Sequence, residues 1–206
     1  MNTLTFETPR LMIRPSVWDD LETFYRWEQT PAVTEFFSIR DGQSMEDVAR
    51  KFLEDQENPK AEQFTILLKA SEQTADTAEN RIGRIVLADI ERGWKGELWR
   101  IYIADTALRG RGLGREAMLA VMQHCFRDLG FERLYLDHYT GNPAAFLYQS
   151  LGFQYEGILR RNCRKNGILY DVHLMSMLRE EYEARDADAA VAAGGTLQQS
   201  RAFGQV

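Results

Sequence analysis

Leu108–Met118 reads LRGRGLGREAM. Three glycines, Gly110, Gly112 and Gly114, alternate with Arg109, Arg111 and Leu113, and Arg115 follows. The stretch joins an apolar run, WRIYIAD, to a helical pattern. Glycines at alternate positions remove Cβ atoms, so successive backbone N–H groups can turn towards one spot. The helix that follows presents its first N–H groups and the positive end of its dipole to the same place. By itself the stretch is either an anion cradle suited to a pyrophosphate or a tight strand-to-helix turn with a solvated charged face.

Two familiar phosphate loops do not fit. A Walker loop needs Lys-Ser or Lys-Thr after its last glycine, where this chain has Arg115-Glu116. A dinucleotide fingerprint needs G-x-G-x-x-G, which the spacing Gly110, Gly112, Gly114 does not supply.

Outward from the loop the periodicities are clear. Glu97–Ile103 is aromatic and β-branched and predicts a strand. Leu113, Ala117, Met118, Val121, Met122, Cys125, Phe126 and Leu129 form one helical stripe that stops at Gly130. A strand follows at Arg133–Tyr139. Asn142-Pro143 then reads as N-cap and first helical residue of a helix that ends before Gly152. Strands at Phe153–Arg161 and Leu169–Met177 flank Asn166-Gly167, which suits a type I′ turn.

On the N-terminal side the pattern predicts a strand at Leu11–Arg14 and a helix over Trp18–Gln29 with Ser16 as its cap. A second helix covers Met45–Glu57, and strands follow at Phe64–Lys69 and Ile82–Ile90. The polar segment ASEQTADTAEN between those two strands is expected to be a mobile loop. Residues 181–206 are expected to form a charged helix and a disordered tail, which leaves a single domain over residues 1–180. This order predicts an α/β (α+β) fold: one mixed, mostly antiparallel sheet of six to seven strands with helices on both faces.

The chain has 206 residues, which is enough for one such domain with a sizeable core, and a net charge of −6. An acidic balance argues against a nucleic-acid partner and suits a cationic small molecule or peptide. Cys125 and Cys163 show neither a disulfide framework nor metal-ligand spacing, and with three scattered histidines no metal is expected. No secretory h-region or membrane-length apolar run is present, so a soluble, cytoplasmic protein is expected, with no membrane partner.

The segment Glu97–Phe153 resembles the GNAT acetyltransferase superfamily at several independent points. ELWRIYIADTALRGRGLGREAM is similar to that family's strand and acetyl-CoA pyrophosphate loop, with Arg109, Gly112 and Gly114 at its Arg/Gln-x-x-Gly-x-Gly/Ala positions. LDHYTGNPAAFLYQSLGF is similar to its next strand, its Asn-initiated helix and its Leu-Tyr-x-x-Leu-Gly-Phe ending. TPRLMIRPSVWDD and YEGILRRNCRKNGILYDVHLMSML resemble the branch that holds ribosomal-protein N-terminal, spermidine and small-molecule acetyltransferases. The family often has a proline near Asp105, which this chain lacks.

The resemblance implies an acetyl-CoA-dependent N-acetyltransferase, with acetyl-CoA as co-substrate and an amine acceptor that is a small molecule, a polyamine or a peptide N-terminus; a homodimer is compatible with it. Transfer to an amine needs a base for a nitrogen of pKa ~10.4, a donor for the oxyanion and a proton for the departing thiolate. By resemblance Tyr148, six residues after Asn142, is the acid. Glu97 is the candidate base, and strand alternation sets it on the face of Trp99, Ile101 and Ile103 unless a bulge changes phase. The implied cofactor contacts are Ile101, Tyr102, Ile103, Arg109, Gly110, Arg111, Gly112, Leu113, Gly114, Arg115, Asn142 and Tyr148. A splay between Glu97–Ile103 and Arg133–Tyr139 would admit the cofactor. Glu35 and Asp171 are candidates for meeting a basic acceptor. Asp137 and His138 point to opposite faces and are read as structural. The competing readings are a non-catalytic acyl-CoA-binding module and, further off, a nucleic-acid-binding turn.

Overall fold

A computed structural model describes residues 4–69 and 80–188. The chain runs β1 (Phe6–Glu7), β2 (Leu11–Pro15), a 3₁₀ turn (Trp18–Asp20), α1 (Leu21–Trp27), α2 (Pro31–Thr34) and α3 (Met45–Glu57). It continues through β3 (Glu62–Leu68), β4 (Arg81–Glu91), β5 (Lys95–Ile103), α4 (Leu113–Gln123) and β6 (Arg133–Tyr139). It closes with α5 (Ala144–Ser150), β7 (Gln154–Lys165) and β8 (Ile168–Leu178), after which residues 179–188 are helical. The polar segment at 70–79 and the tail at 189–206 lie outside the described residues.

The described strands form one sheet in the order β1-β2-β3-β4-β5-β6-β8-β7. Every neighbouring pair is antiparallel except β5 and β6. That is the mixed sheet expected, with eight strands instead of six to seven. The added strand is β1, whose two residues are too short to show a period of two.

The larger core lies on the face covered by α4 and α5, where the stripe Leu113, Ala117, Met118, Val121 and Met122 meets Ile85, Leu87, Leu98 and Leu134. The opposite face carries Leu21, Phe24, Val48 and Phe52 from α1 and α3. α3 starts where its sequence says: the Ser44 hydroxyl accepts from the Asp47 amide at 3.1 Å, and the Asp47 carboxylate accepts from the Ser44 amide at 3.2 Å. The β7–β8 turn has Asn166 and Gly167 at φ 49° and 81°, as a two-residue hairpin requires.

The first helix departs from expectation. Ser16 does not cap it; its hydroxyl pairs with that of Thr65 in the sheet at 2.9 Å. The chain enters the 3₁₀ turn at Val17, whose amide donates to the fully buried Asp20; that carboxylate also accepts from the Thr65 hydroxyl and the Arg14 guanidinium, all at 2.7–2.9 Å. Arg81 adds an ion pair at 3.1 Å. These contacts outweigh burial and hold the Asp20 carboxyl below its usual range.

Candidate active site

The cleft begins where β5 and β6 stop pairing. Their parallel ladder holds only Lys95–Glu97 against Arg133–Tyr135, and beyond Glu97 the β6-facing edge of β5 opens. The expected splay is therefore present.

A β-bulge then reorganises β5. Val86 pairs with Arg100, but Leu87 pairs with Leu98, so Trp99 is the extra residue. Paired residues share a face. Ile101 and Ile103 lie with Ile85 and Gly83 on the α4 face, whereas Arg100 and Glu97 lie with Val86 and Ala88 on the α1–α3 face. The bulge thus reverses the phase, and Glu97 is not on the face of Ile101 and Ile103 as simple alternation predicts.

On the α4 side a cavity of about 760 Å³ runs from the glycine loop along β5 to α5. Gly110 and Gly112 adopt φ of 73° and 79°, and Gly112 caps α4. The amides of Leu113, Gly114 and Arg115 precede the first intrahelical bond, made by the Glu116 amide to Gly112 at 3.0 Å. Ile101, Ile103, Leu108, Phe36 and Leu147 line the stretch between loop and sheet. A polar, amide-rich end followed by an apolar trough suits a pyrophosphate with a long, flexible arm.

The arginines divide their duties. Arg109 donates to the carbonyls of Ile103 (3.0 Å) and Ala32 (2.7 Å), tying the end of β5 to α2. Arg115 donates to the Ser150 hydroxyl at 2.8 Å, joining α4 to α5. Arg111 does not line the cavity. Arg10, which sequence reasoning gave no role, holds the loop from behind. It donates to the Arg111 carbonyl at 2.8 Å and to Glu116 at 2.7 Å. Glu116 also accepts from the Thr8 hydroxyl, and these bonds hold its carboxyl below the ordinary range against the opposing effect of burial.

A second cavity of about 180 Å³ lies on the other side of the splay, walled by Phe36, Phe37, Trp99, Arg100, Asp137 and Tyr139. Tyr148 and Asn142 line both cavities. Asn142 accepts from the Ala144 amide at 2.9 Å, the capping role expected of it. Tyr148 is buried, and its hydroxyl makes no hydrogen bond among the described residues. Burial and the Asp137 charge push its pKa up to about 12, so it is a neutral donor at physiological pH.

Asp137 corrects the structural role assigned to it, because it faces the smaller cavity instead of packing in the sheet. Behind it Glu97 is half-buried, and its pKa rises from 4.5 to about 7 through burial and the charges of Asp137 and Asp89. Burial raises Asp137 as well. The Asp137 charge thus bears on Glu97 across the sheet face they share. Glu97 lines neither cavity, so Asp137 is the member of the pair that reaches the cleft.

The other candidates are placed elsewhere. Glu35 stands on the larger cavity at the end of α2, away from Asp137. Asp171 faces neither cavity. Its carboxylate accepts from the Arg161 amide at 2.6 Å and pins a bulge in β7, with Arg161 at φ 53°, that carries Asn162 and Cys163 to the cavity wall. Tyr102 lines the larger cavity with Ile101 and Ile103, while its hydroxyl donates to Glu28 at 3.2 Å. Among the described residues no group of three or more His, Cys, Asp or Glu could hold a metal, and no helix is long and apolar enough to cross a membrane.

A family model for the acetyltransferase (GNAT) domain matches residues 10–154. The chain belongs to the GNAT acetyltransferase family. Membership carries the enzyme class, acetyltransferase. A prophage-derived uncharacterized N-acetyltransferase of Bacillus subtilis is 32% identical over 110 residues, which span 52% of this chain and 61% of that protein. An uncharacterized N-acetyltransferase of Bacillus licheniformis is 26% identical over 182 residues, covering 86% of this chain and 98% of that one. The crystal structure of spermidine N-acetyltransferase from Vibrio cholerae in complex with CoA and spermine superposes with a TM-score of 0.73 at 21% identity. That match covers 85% of this chain and 99% of the other, and it shows a shared fold.

Proposed function

We propose that this acetyltransferase moves the acetyl group of acetyl-CoA directly to a primary amine held in the smaller cavity. Residues 1–180 would form the catalytic unit. One observation carries the reading: the two cavities meet at Tyr148, a buried phenol with no hydrogen-bond partner among the described residues and Asp137 across the cleft.

Acetyl-CoA supplies a thioester whose carbonyl carbon accepts an amine nitrogen. The α4 N-terminus and the glycine loop would hold the pyrophosphate, and the apolar trough would seat the arm. The open edge of β5 past Glu97 offers backbone N–H groups to the carbonyl oxygen. An ammonium entering the smaller cavity meets Asp137, and the Asp137–Glu97 pair takes its proton. As the N–C bond forms and the S–C bond breaks, the departing thiolate takes a proton from the Tyr148 hydroxyl, and the second proton that the nitrogen sheds in becoming an amide restores the phenol. With Glu97 raised to about 7, proton acceptance and release at that carboxyl are closely balanced near neutral pH.

Calorimetry with CoA and acetyl-CoA tests the donor half. Binding tighter than about 1 mM is expected, and a free enthalpy signal weaker than that would overturn the reading. A panel of primary amines with detection of released CoA tests the acceptor half.

A further inference from the structure

We infer that the acceptor carries a carboxylate beside its amine, and that Arg100 is the residue that reads it. This rests on the acetyl-transfer reading and names the substrate class of the same cavity.

The argument starts with an imbalance of charge on the α1–α3 face. Arg84 and Arg100, both nearly fully buried, share one carboxylate. Glu28 Oε1 accepts from Arg84 at 3.1 Å and from Arg100 at 2.7 Å. The neighbouring Lys51 is matched by Asp55 at 2.8 Å, so it leaves the count unchanged. Two buried guanidiniums thus divide one carboxylate, where an underpaired ion is costly, and Asp137 on the same cavity forms no ion pair with either. Among the described residues the Arg100 guanidinium makes a single hydrogen bond, to Glu28, and its other N–H groups have no protein acceptor. The group lies 4.5 Å from the Trp99 ring and 5.8 Å from the Phe37 ring, and both rings wall the smaller cavity with it.

The bulge at Trp99 shapes the same wall. With Ile101 on the α4 face, alternation sets Arg100 on the opposite face, and the extra residue brings Glu97 to that same face. The cavity therefore has two unlike poles, the Arg100 guanidinium at one wall and the Asp137 carboxyl at another, with aromatic rings between. A zwitterion places a cation and an anion against those poles together. A polyamine would bring a second ammonium towards a guanidinium. The fit is to a compact amino acid-like acceptor, whose carboxylate accepts from Arg100 and whose amine is presented to Asp137 and Tyr148.

The test compares free amino acids with the amines of the same carbon skeleton that lack the carboxylate, by kcat/KM for CoA release with the full-length protein. A charge-assisted pair in a buried site predicts a preference of about ten- to hundredfold for the amino acid. Arg100→Met should bring that ratio towards one. If the variant does not fold, the wild-type ratio decides alone. A wild-type ratio near or below one overturns the inference while leaving acetyl transfer standing, and so does an Arg100→Met variant that folds and keeps the preference. No CoA release with either set overturns both.

Discussion

Asp137→Asn is the substitution that most directly probes the proposed proton acceptor. In the native site Glu97 has its pKa raised from 4.5 to about 7, first by burial and then by the charges of Asp137 and Asp89. A base works only when deprotonated. With a midpoint near 7 the carboxylate fraction is about one tenth at pH 6 and about nine tenths at pH 8, so kcat/KM should rise about tenfold across that interval. Asparagine removes the carboxyl that faces the acceptor and one of the charges that lifts Glu97. Two results are expected together: kcat/KM at pH 8 falls about 10²- to 10⁴-fold, and the midpoint of the residual activity moves to lower pH. The assay is CoA release from pH 5.5 to 9 at sub-saturating acceptor, with CoA affinity measured in parallel. An Asp137→Asn enzyme with activity within threefold of wild type and an unchanged midpoint would refute the reasoning. The same carboxylate carries a stability signature. Because the folded pKa is raised, the protonated form is the one the fold favours, and stability is lost as pH rises from 4.5 through about 7. Glu97→Gln should raise the unfolding free energy at pH 8, by up to about 3 kcal/mol, and change it little at pH 4.

Tyr148→Phe keeps the ring packed against Phe153 and removes only the donor, so kcat should drop about 10²-fold or more while CoA affinity, read by calorimetry, stays unchanged. Gly112→Ala forces an L residue to φ 79° with its Cβ 3.4 Å from the Arg10 guanidinium, and KM for acetyl-CoA should rise about five- to tenfold. Asp20→Ala removes the buried carboxylate on which Arg14 and Arg81 converge, and denaturant unfolding should show a loss of about 3–5 kcal/mol. Since the folded pKa of Asp20 is lowered, its contribution in the native protein is present above 3.8 and fades as pH falls through the folded value.

What the sequence made legible follows from the range of the interactions involved. The α4 stripe, the Met45–Glu57 helix, the Asn142 turn and the Asn166-Gly167 hairpin are set by residues within a few positions of one another, and they stand where the pattern puts them. The glycine loop and Tyr148 were found because motifs of fixed spacing mark them. The acceptor side was not legible, because it is made by register. One extra residue at Trp99 turns Glu97 away from Ile101 and onto the face of Arg100, and a bulge leaves no local composition signal. Strand alternation separates Asp137 from its neighbour His138 and marks neither as functional. That separation holds, but the partner of Asp137 is Glu97, forty residues earlier on β5. Arg10 and Glu116 meet 106 positions apart, and no periodicity reports such a pair. Asp171 was noticed for its charge, yet a backbone amide of β7 already claims it.

The measurement closest to the central claim is a stoichiometric one. Acetyl-CoA and an amino acid acceptor are incubated with the purified protein, and free CoA and the N-acetylated amine are quantified together by mass spectrometry over time. The account predicts that the two products appear in equal amounts and that Tyr148→Phe slows both by the same factor. Acetyl-CoA that binds without yielding either product, or CoA released with no acetylated amine, would contradict it.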